Sequence, residues 1–253
     1  MIIKGNIMPV HKKLYLCPLL LSLLSACTSV PLDNRPASMY KEGENFYASR
    51  KYDDAIAQWK KVREAYASPD LTTNAELKIA DAYFESERYI EATAAYDEFR
   101  KLHPSHEKAA YALYRMGLSS YYQITGIDTD QTPQKNTVTY LDEFLHKYPK
   151  SEYVADAKEK LDATITQQLQ HEQYVARFYY RTEKYDAAIK RLEDALAAYP
   201  KNPTHDETYY LLGAACLRIG KLDKAKEAFN RLSSEFPGSP YIMDASKLLE
   251  KYY

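Results

Sequence analysis

Phosphate-cradling loops are the first thing this sequence cannot supply. It holds only 7 glycines in 253 residues, and none stands in GxGxxG, GxxxxGK[ST] or GxSxG. That excludes nucleotide-binding turns and the nucleophile elbow. Excess positive charge is missing as well: 34 Lys+Arg meet 35 Asp+Glu, a net charge of −1, which leaves no basic footprint for nucleic-acid phosphates. Six histidines form no HExxH, and His103 and His106 flank Pro104, which breaks the helical geometry a shared metal would need. Asp128, Asp130 and Thr132 are spaced like the first ligands of a calcium loop, but Pro133 stands where glycine is needed and Thr139 where a bidentate glutamate is needed. No nucleophile, base and orienting group come together, so no catalytic residue and no metal site is expected. What the chain has in quantity is tyrosine, 25 residues, within an ordinary globular balance of 45% apolar and 27% charged residues.

No apolar run is long enough to span a bilayer either. The mostly apolar stretch 14–24 has 11 residues and follows Lys4, Lys12 and Lys13, which is the anatomy of a secretory signal. It ends in Leu24-Ser25-Ala26-Cys27, which resembles the bacterial lipobox. That resemblance implies cleavage after Ala26 and a diacylglycerol and N-acyl chain on Cys27, the only covalent group expected and no cofactor. The same resemblance associates Thr28, in place of an aspartate, with onward transport to the outer membrane. Removing residues 1–26 takes three lysines and no acid, leaving 31 basic against 35 acidic side chains. Cys17 departs with the signal and Cys27 carries lipid, so Cys216, within an apolar run, is the remaining thiol and is expected to be buried and inert.

After a linker over 27–38 the sequence repeats itself. Arg50-Lys51-Tyr52-Asp53-Asp54-Ala55 recurs at Glu87 to Ala92, Glu183 to Ala188 and Gly220 to Ala225. Twelve residues before each closing alanine stands Gly43, Ala80, Ala176 or Gly213. Twelve after it comes Pro104, Pro200 or Pro237, with Ala67 in the first copy. This spacing resembles the tetratricopeptide repeat, a helix-turn-helix unit whose small residues let two helices approach closely. A fifth, divergent copy between the second and third of these has Gly117 at the small position, Pro149 at its end and an insert over 123–133. The expected fold is therefore all-α: five such repeats in a right-handed superhelical solenoid, divided into residues 39–152 and 153–253. Thr73 with Glu76 and Thr204 with Glu207 read as capping boxes. From Tyr153 to Tyr180 no Pro or Gly occurs, which predicts one long helix joining repeats 3 and 4. The alternative is a break where Thr164, Ile165 and Thr166 weaken the helix.

A second stripe runs along the first helix of each repeat, three before, one after and four after the small residue. It reads Tyr40, Glu44, Tyr47; Leu77, Asp81, Phe84; Tyr114, Leu118, Tyr121; and Gln173, Arg177, Tyr180. Tyr47, Phe84 and Tyr121 are spaced 37 residues apart. Two readings stand: an inner wall of aromatic anchors forming a peptide-binding groove, or rings packed between neighbouring helices as core.

The most specific text is Asp130-Gln131-Thr132-Pro133, Tyr148-Pro149-Lys150-Ser151-Glu152-Tyr153-Val154-Ala155-Asp156-Ala157, and His171-Glu172-Gln173-Tyr174-Val175-Ala176-Arg177-Phe178-Tyr179-Tyr180. With the lipobox and five repeats, the mature chain resembles the BamD family, lipoprotein subunits of the outer-membrane β-barrel assembly machine. The resemblance implies a non-enzymatic scaffold, lipid-anchored on the periplasmic face of the outer membrane. Its C-terminal repeats would hold a periplasmic domain of the barrel-forming subunit and companion lipoproteins, with Arg191 matching a family arginine at that interface. Its N-terminal repeats would receive C-terminal segments of unfolded barrel clients, which suit a groove at Tyr40, Tyr47, Phe84, Tyr114 and Tyr121. The chain departs from the family at Ala67 and at Ser68-Pro69-Asp70-Leu71, which reshape the mouth of that groove. The same fold and anchor would also serve a periplasmic adaptor of cell-wall or envelope-division proteins.

Overall fold

A computed structural model describes residues 1–2, 35–65, 68–200 and 202–252. The signal, the lipobox with Cys27, most of the linker, and Ala67 lie outside the described residues. The chain divides into two compact units, Met1–Arg35 and Pro36–Tyr253. Every regular element among the described residues is a helix: α1 (Arg35–Ala48), α2 (Tyr52–Glu64), α3 (Pro69–Glu85), α4 (Tyr89–Leu102), α5 (Ala109–Tyr121), α6 (Thr132–Lys147), α7 (Val154–Arg181), α8 (Tyr185–Ala198), α9 (His205–Arg218), α10 (Leu222–Glu235) and α11 (Ile242–Tyr252). None is long and apolar enough to cross a membrane.

The helices pair as the repeat spacing predicts, and the small position is the reason. A Cβ built on Gly43 would lie 2.5 Å from the indole Nε1 of Trp59, and one on Gly213 would lie 2.4 Å from Cε1 of Phe229. Ala80 and Tyr96 share one buried cluster, and Ala176 and Leu192 another. Each first helix thus offers a notch and each second helix fills it with a bulky side chain, giving a tetratricopeptide-like array. Prolines 104, 149, 200 and 237 each follow the end of a second helix by two residues, where a ring that cannot continue the helix is tolerated.

The turns within repeats are equally regular. Arg50, Glu87, Glu183 and Gly220 have φ of 57°, 60°, 59° and 72°. In each, the next residue's N–H reaches back five residues, as Lys51 to the Phe46 carbonyl and Arg88 to the Tyr83 carbonyl, both at 2.9 Å. These are Schellman closures, and only the last uses the residue that adopts a left-handed conformation without strain. Glu87→Gly is therefore expected to raise the unfolding free energy by about 0.5–1 kcal/mol, and Gly220→Ala to lower it by about 1 kcal/mol. Nothing lies within 4 Å of a Cβ at Gly220, so that loss reports backbone strain alone. Urea titrations showing both variants at the parent midpoint would refute the assignment.

Several local expectations are corrected. Helix α1 begins at Arg35 with Pro36 in its first turn, so the last four residues of the expected linker are helical. Thr73 caps nothing: α3 already starts at Pro69, and Glu76 instead meets His103 Nε2 at 2.6 Å. Thr204 does sit at the α9 N-cap, but its hydroxyl donates to Asn202 Oδ1 at 2.8 Å, and Glu207 pairs with Arg177. The tail of the last repeat forms an additional helix, α11, against α9 and α10. Of the two readings of residues 153–180 the unbroken one holds, with α7 running 28 residues through Thr164–Thr166. Cys216 is buried within the C-terminal cluster, and burial pushes its thiol pKa up.

Candidate peptide-binding cleft

The aromatic stripe divides in two. Its lower members, Tyr40, Leu77 and Asp81, line a cleft of about 570 Å³ between α1, α3, α5 and the start of α7. They face Lys78, Tyr111 and Tyr153, with Asp70, Glu107 and Lys108 at the rim. The upper members, Tyr47, Phe84 and Tyr121, are half-buried at the helix turns and do not line it. Tyr47 meets Tyr52 edge-on at 5.4 Å and Phe84 meets Tyr89 edge-on at 5.4 Å, and Tyr180 repeats the arrangement on Tyr185 at 5.5 Å. The 37-residue period therefore marks a ring that clasps its own turn, as edge-to-face aromatic pairs favour. Tyr121 lies edge-on to Tyr122 at 5.6 Å, and Tyr122, nearly half exposed, stacks on Tyr89 at 5.4 Å.

Tyr114 is turned into the core. It is 8% exposed, lies flat on Tyr153 at 4.6 Å and 12°, and donates its hydroxyl to Asp156 Oδ2 at 2.7 Å. It braces the wall and offers no surface to a ligand. In the fourth repeat the stripe is closed over by α9: Gln173 is buried and donates to the Thr204 carbonyl and Thr208 Oγ1, while Arg177 pairs with Glu207. The core reading thus describes Tyr114 and Gln173, and the open reading fits the side of Tyr40, Leu77 and Asp81.

Sequence reasoning did not identify the charged centre of this cleft. Asp81 Oδ1 accepts the hydroxyls of Tyr96 at 2.7 Å and Tyr111 at 2.9 Å. Arg115 Nε donates to the Tyr96 oxygen at 3.1 Å and its terminal nitrogen to Glu85 at 2.8 Å, while its guanidinium lies 3.5 Å from the centre of the Phe84 ring. A usable signal existed, since Lys78 and Arg115 are also 37 residues apart. Each sits over the ring of the preceding repeat, Lys78 over Tyr47 at 5.5 Å, and Lys160 and Arg218 do the same for Tyr121 and Tyr180. Cations placed on rings in this way contribute about 0.5–2 kcal/mol each, depending on desolvation.

Burial raises the Asp81 carboxyl above the usual carboxylate range, against the pull of the two tyrosine hydroxyls and Arg115. Burial also pushes Tyr47 up to about 12, with Asp81 adding to the shift. A raised carboxyl pKa means that the folded chain holds the proton more tightly than the unfolded one. The stability Asp81 contributes is then fully present below the unfolded value of about 4 and lost as pH rises through the folded value. Asp81→Asn keeps an acceptor for both hydroxyls and removes the titration. It is expected to flatten the fall in stability as pH rises above about 4, and an unchanged slope in parallel urea titrations would count against this account.

Arg191 lies elsewhere, on α8, half-buried with Nε 2.5 Å from Glu172 Oε2 on α7. It faces a second, smaller cleft of about 290 Å³ with Gln131, Lys135, His171 and Tyr199. The 123–133 insert closes one side of that cleft, with His171 Nδ1 2.5 Å from the Ile127 carbonyl. Within the insert, Asp130 is drawn into a turn, accepting the Thr132 N–H at 3.0 Å and its hydroxyl at 2.9 Å.

A family model described as YfiO, outer membrane lipoprotein, matches residues 32–228. An outer membrane protein assembly factor BamD of Rickettsia prowazekii is 28% identical over 85% of this chain and 86% of its own. The protein of the same name in Neisseria meningitidis serogroup A is 27% identical over 92% of this chain and 95% of its own. Among solved structures, the TPR2AB domain of yeast Sti1 in its pHSP90 complex covers 86% of this chain and 85% of its own at 15% identity, with a TM-score of 0.45.

Proposed function

Since the chain belongs to the YfiO family of outer membrane lipoproteins, we propose that it is a lipid-anchored scaffold of outer-membrane β-barrel protein assembly, held at the periplasmic face through acyl chains on Cys27. Its relatives are assembly factors, and the chain acts as one and not as an enzyme. The observation that carries the client-binding part is the cleft of the first three repeats, where Tyr40, Leu77, Tyr111 and Tyr153 stand among polar and charged side chains around Asp81, which accepts the Tyr96 and Tyr111 hydroxyls. An extended segment with alternating aromatic side chains would lay them on Tyr40, Leu77 and Tyr111 and set its polar atoms against Lys78 and Asp81. Tyr47, Phe84 and Tyr121 would brace the helix turns beside the cleft, and Tyr114 would hold Tyr153 in place. Such segments end the chains of unfolded barrel proteins, the clients this reading assigns to the cleft.

Arg191 would contact the periplasmic domain of the barrel-forming subunit, and companion lipoproteins would share the C-terminal repeats. Its link to Glu172 supports that role by fixing the guanidinium between α7 and α8. Cys27→Ser removes the acyl chains and is expected to shift the protein from the membrane pellet to the soluble fraction, apart from what partners retain.

A photo-crosslinking residue at Leu77 in intact cells tests the cleft, with exposed Glu159 as control. Barrel proteins captured through their C-terminal peptides at Leu77 alone are the expected result. Capture of cell-wall or division proteins, with no barrel protein at either position, would replace this reading with the envelope adaptor.

A further inference from the structure

We propose that the C-terminal half of α7 is a docking shelf for an amphipathic helix of another protein, one that presents a face of small residues. This surface is separate from the client cleft and does not depend on that reading.

The argument is one of register. In α3, α5 and α9 the residues five before, one before and two after the small position face the second helix of the preceding repeat. They are Ala75, Ile79 and Ala82; Ala112, Met116 and Ser119; Thr208, Leu212 and Ala215, and all nine are buried. The first set packs with Ile56, Trp59 and Val62 of α2, Ala112 and Met116 with Tyr96 and Phe99 of α4, and Leu212 and Ala215 with Ile189 and Leu192 of α8.

Helix α7 carries this register twice. Ala157, Leu161 and Thr164 are buried, and Ala157 and Leu161 pack with Leu141 and Phe144 of α6. Fourteen residues on, about 21 Å along the helix, come His171, Val175 and Phe178. Among the described residues no second helix arrives here, because α6 is already spent on the first half. His171 is reached by the Ile127 carbonyl of the insert, but Phe178 is 48% exposed, and Tyr174 beside it 40%.

An uncovered face is not unusual in itself, since the first repeat also has no predecessor. There the same three positions are Ser38, Glu42 and Asn45, all exposed and polar, as a terminal cap should be. The fourth repeat has valine and phenylalanine instead, flanked by a tyrosine. A surface finished for water is polar, and this one is composed for contact. The occupant follows from what fills the same place in the other repeats, which is a helix each time. The bulk is reversed, however. At the last of the three positions α3 and α9 have Ala82 and Ala215 where α7 has Phe178, so the incoming helix must supply alanine, serine or glycine opposite Phe178.

The test places a photo-reactive residue at Phe178 of the full-length anchored protein in intact cells, with Asn45 as the register-matched control. The expected result is an adduct at 178 alone, mapped by mass spectrometry to a helix of another envelope protein with small residues at the crosslinked position. Phe178→Glu and, separately, Tyr174→Glu are then expected to reduce co-recovery of that protein by about tenfold, the loss of one interface anchor. Because both side chains are exposed, the unfolding midpoint should not move. The proposal fails if there is no adduct, if the adduct is to lipid, to a second copy of this chain or to a strand, or if co-recovery is unchanged in both variants.

Discussion

Replacing Trp59 with alanine is expected to lower the unfolding free energy by about 3–5 kcal/mol, the range for emptying a large buried aromatic site. Trp59 is the single tryptophan of the chain and has no exposed surface. Its indole fills the space left by Gly43, donates Nε1–H to the Tyr40 carbonyl at 3.2 Å, and carries the tilted rings of Tyr40 at 6.3 Å and Tyr47 at 5.7 Å. None of those neighbours can close the cavity without leaving its own place. Because repeat arrays lose stability next to the lesion first, the damage should be local. Hydrogen exchange should accelerate in α1 and α2 while α9 and α10 keep the parent protection. Tyr40 lines the client cleft, so barrel-peptide capture at Leu77 should fall along with it. Uniform acceleration through α10 would show that the repeats unfold as one unit and overturn the local account.

The second large effect is expected at Gly117. A Cβ there would lie 2.2 Å from Cδ2 and 2.7 Å from Cγ of Leu141, which has no exposed surface of its own. Gly117→Val adds two further methyl groups to a space that does not hold the first. Helix propensity gains less than 1 kcal/mol or so from losing a glycine, and overpacking of this severity costs about 3 kcal/mol, so the net sign is destabilising. The clash names its own rescue: in a Leu141→Ala background the valine should be tolerated, and the two changes together should cost less than their sum. Gly126→Ala is the control, since its Cβ would meet Asp128 Oδ1 at 3.1 Å and little else. Strict additivity of the Gly117 and Leu141 changes would remove the packing explanation.

The fold was legible because the repeat writes its packing rule into the sequence several times over. Gly43, Ala80, Ala176 and Gly213 could be read as notches before any partner was known, since each stands twelve residues before the alanine of its turn motif, and Gly117 took its place by analogy across the insert. Boundaries were harder. Thr73 with Glu76 satisfies the capping-box pattern, but Pro69 starts the helix a turn earlier and Glu76 is taken by His103. The stripe exposed a different limit. Period alone shows that Tyr47, Phe84 and Tyr121 occupy one kind of position, and not which neighbour that position faces. The first residue of the second helix, Tyr52 or Tyr89, was available as a clue, since an aromatic recurs there as well. The Asp81 centre draws Tyr96 from α4 and Tyr111 and Arg115 from α5, at sequence distances of 15 to 34 residues, where no local pattern links them.

Helix α7 also has the character of a setting. Two arrays usually meet through a loop, which absorbs an added residue by bulging. Here they meet inside 28 continuous helical residues, and each inserted residue turns everything beyond it by 100° and advances it by about 1.5 Å. One residue added near Gln167 would leave every contact within repeats 1–3 and every contact within repeats 4 and 5 intact, yet aim Arg191 and Phe178 in a new direction. The length of this helix is thus an encoded angle between what the protein receives at one end and what it holds at the other. Substitutions there tune the surface, whereas insertions and deletions change the machine's geometry.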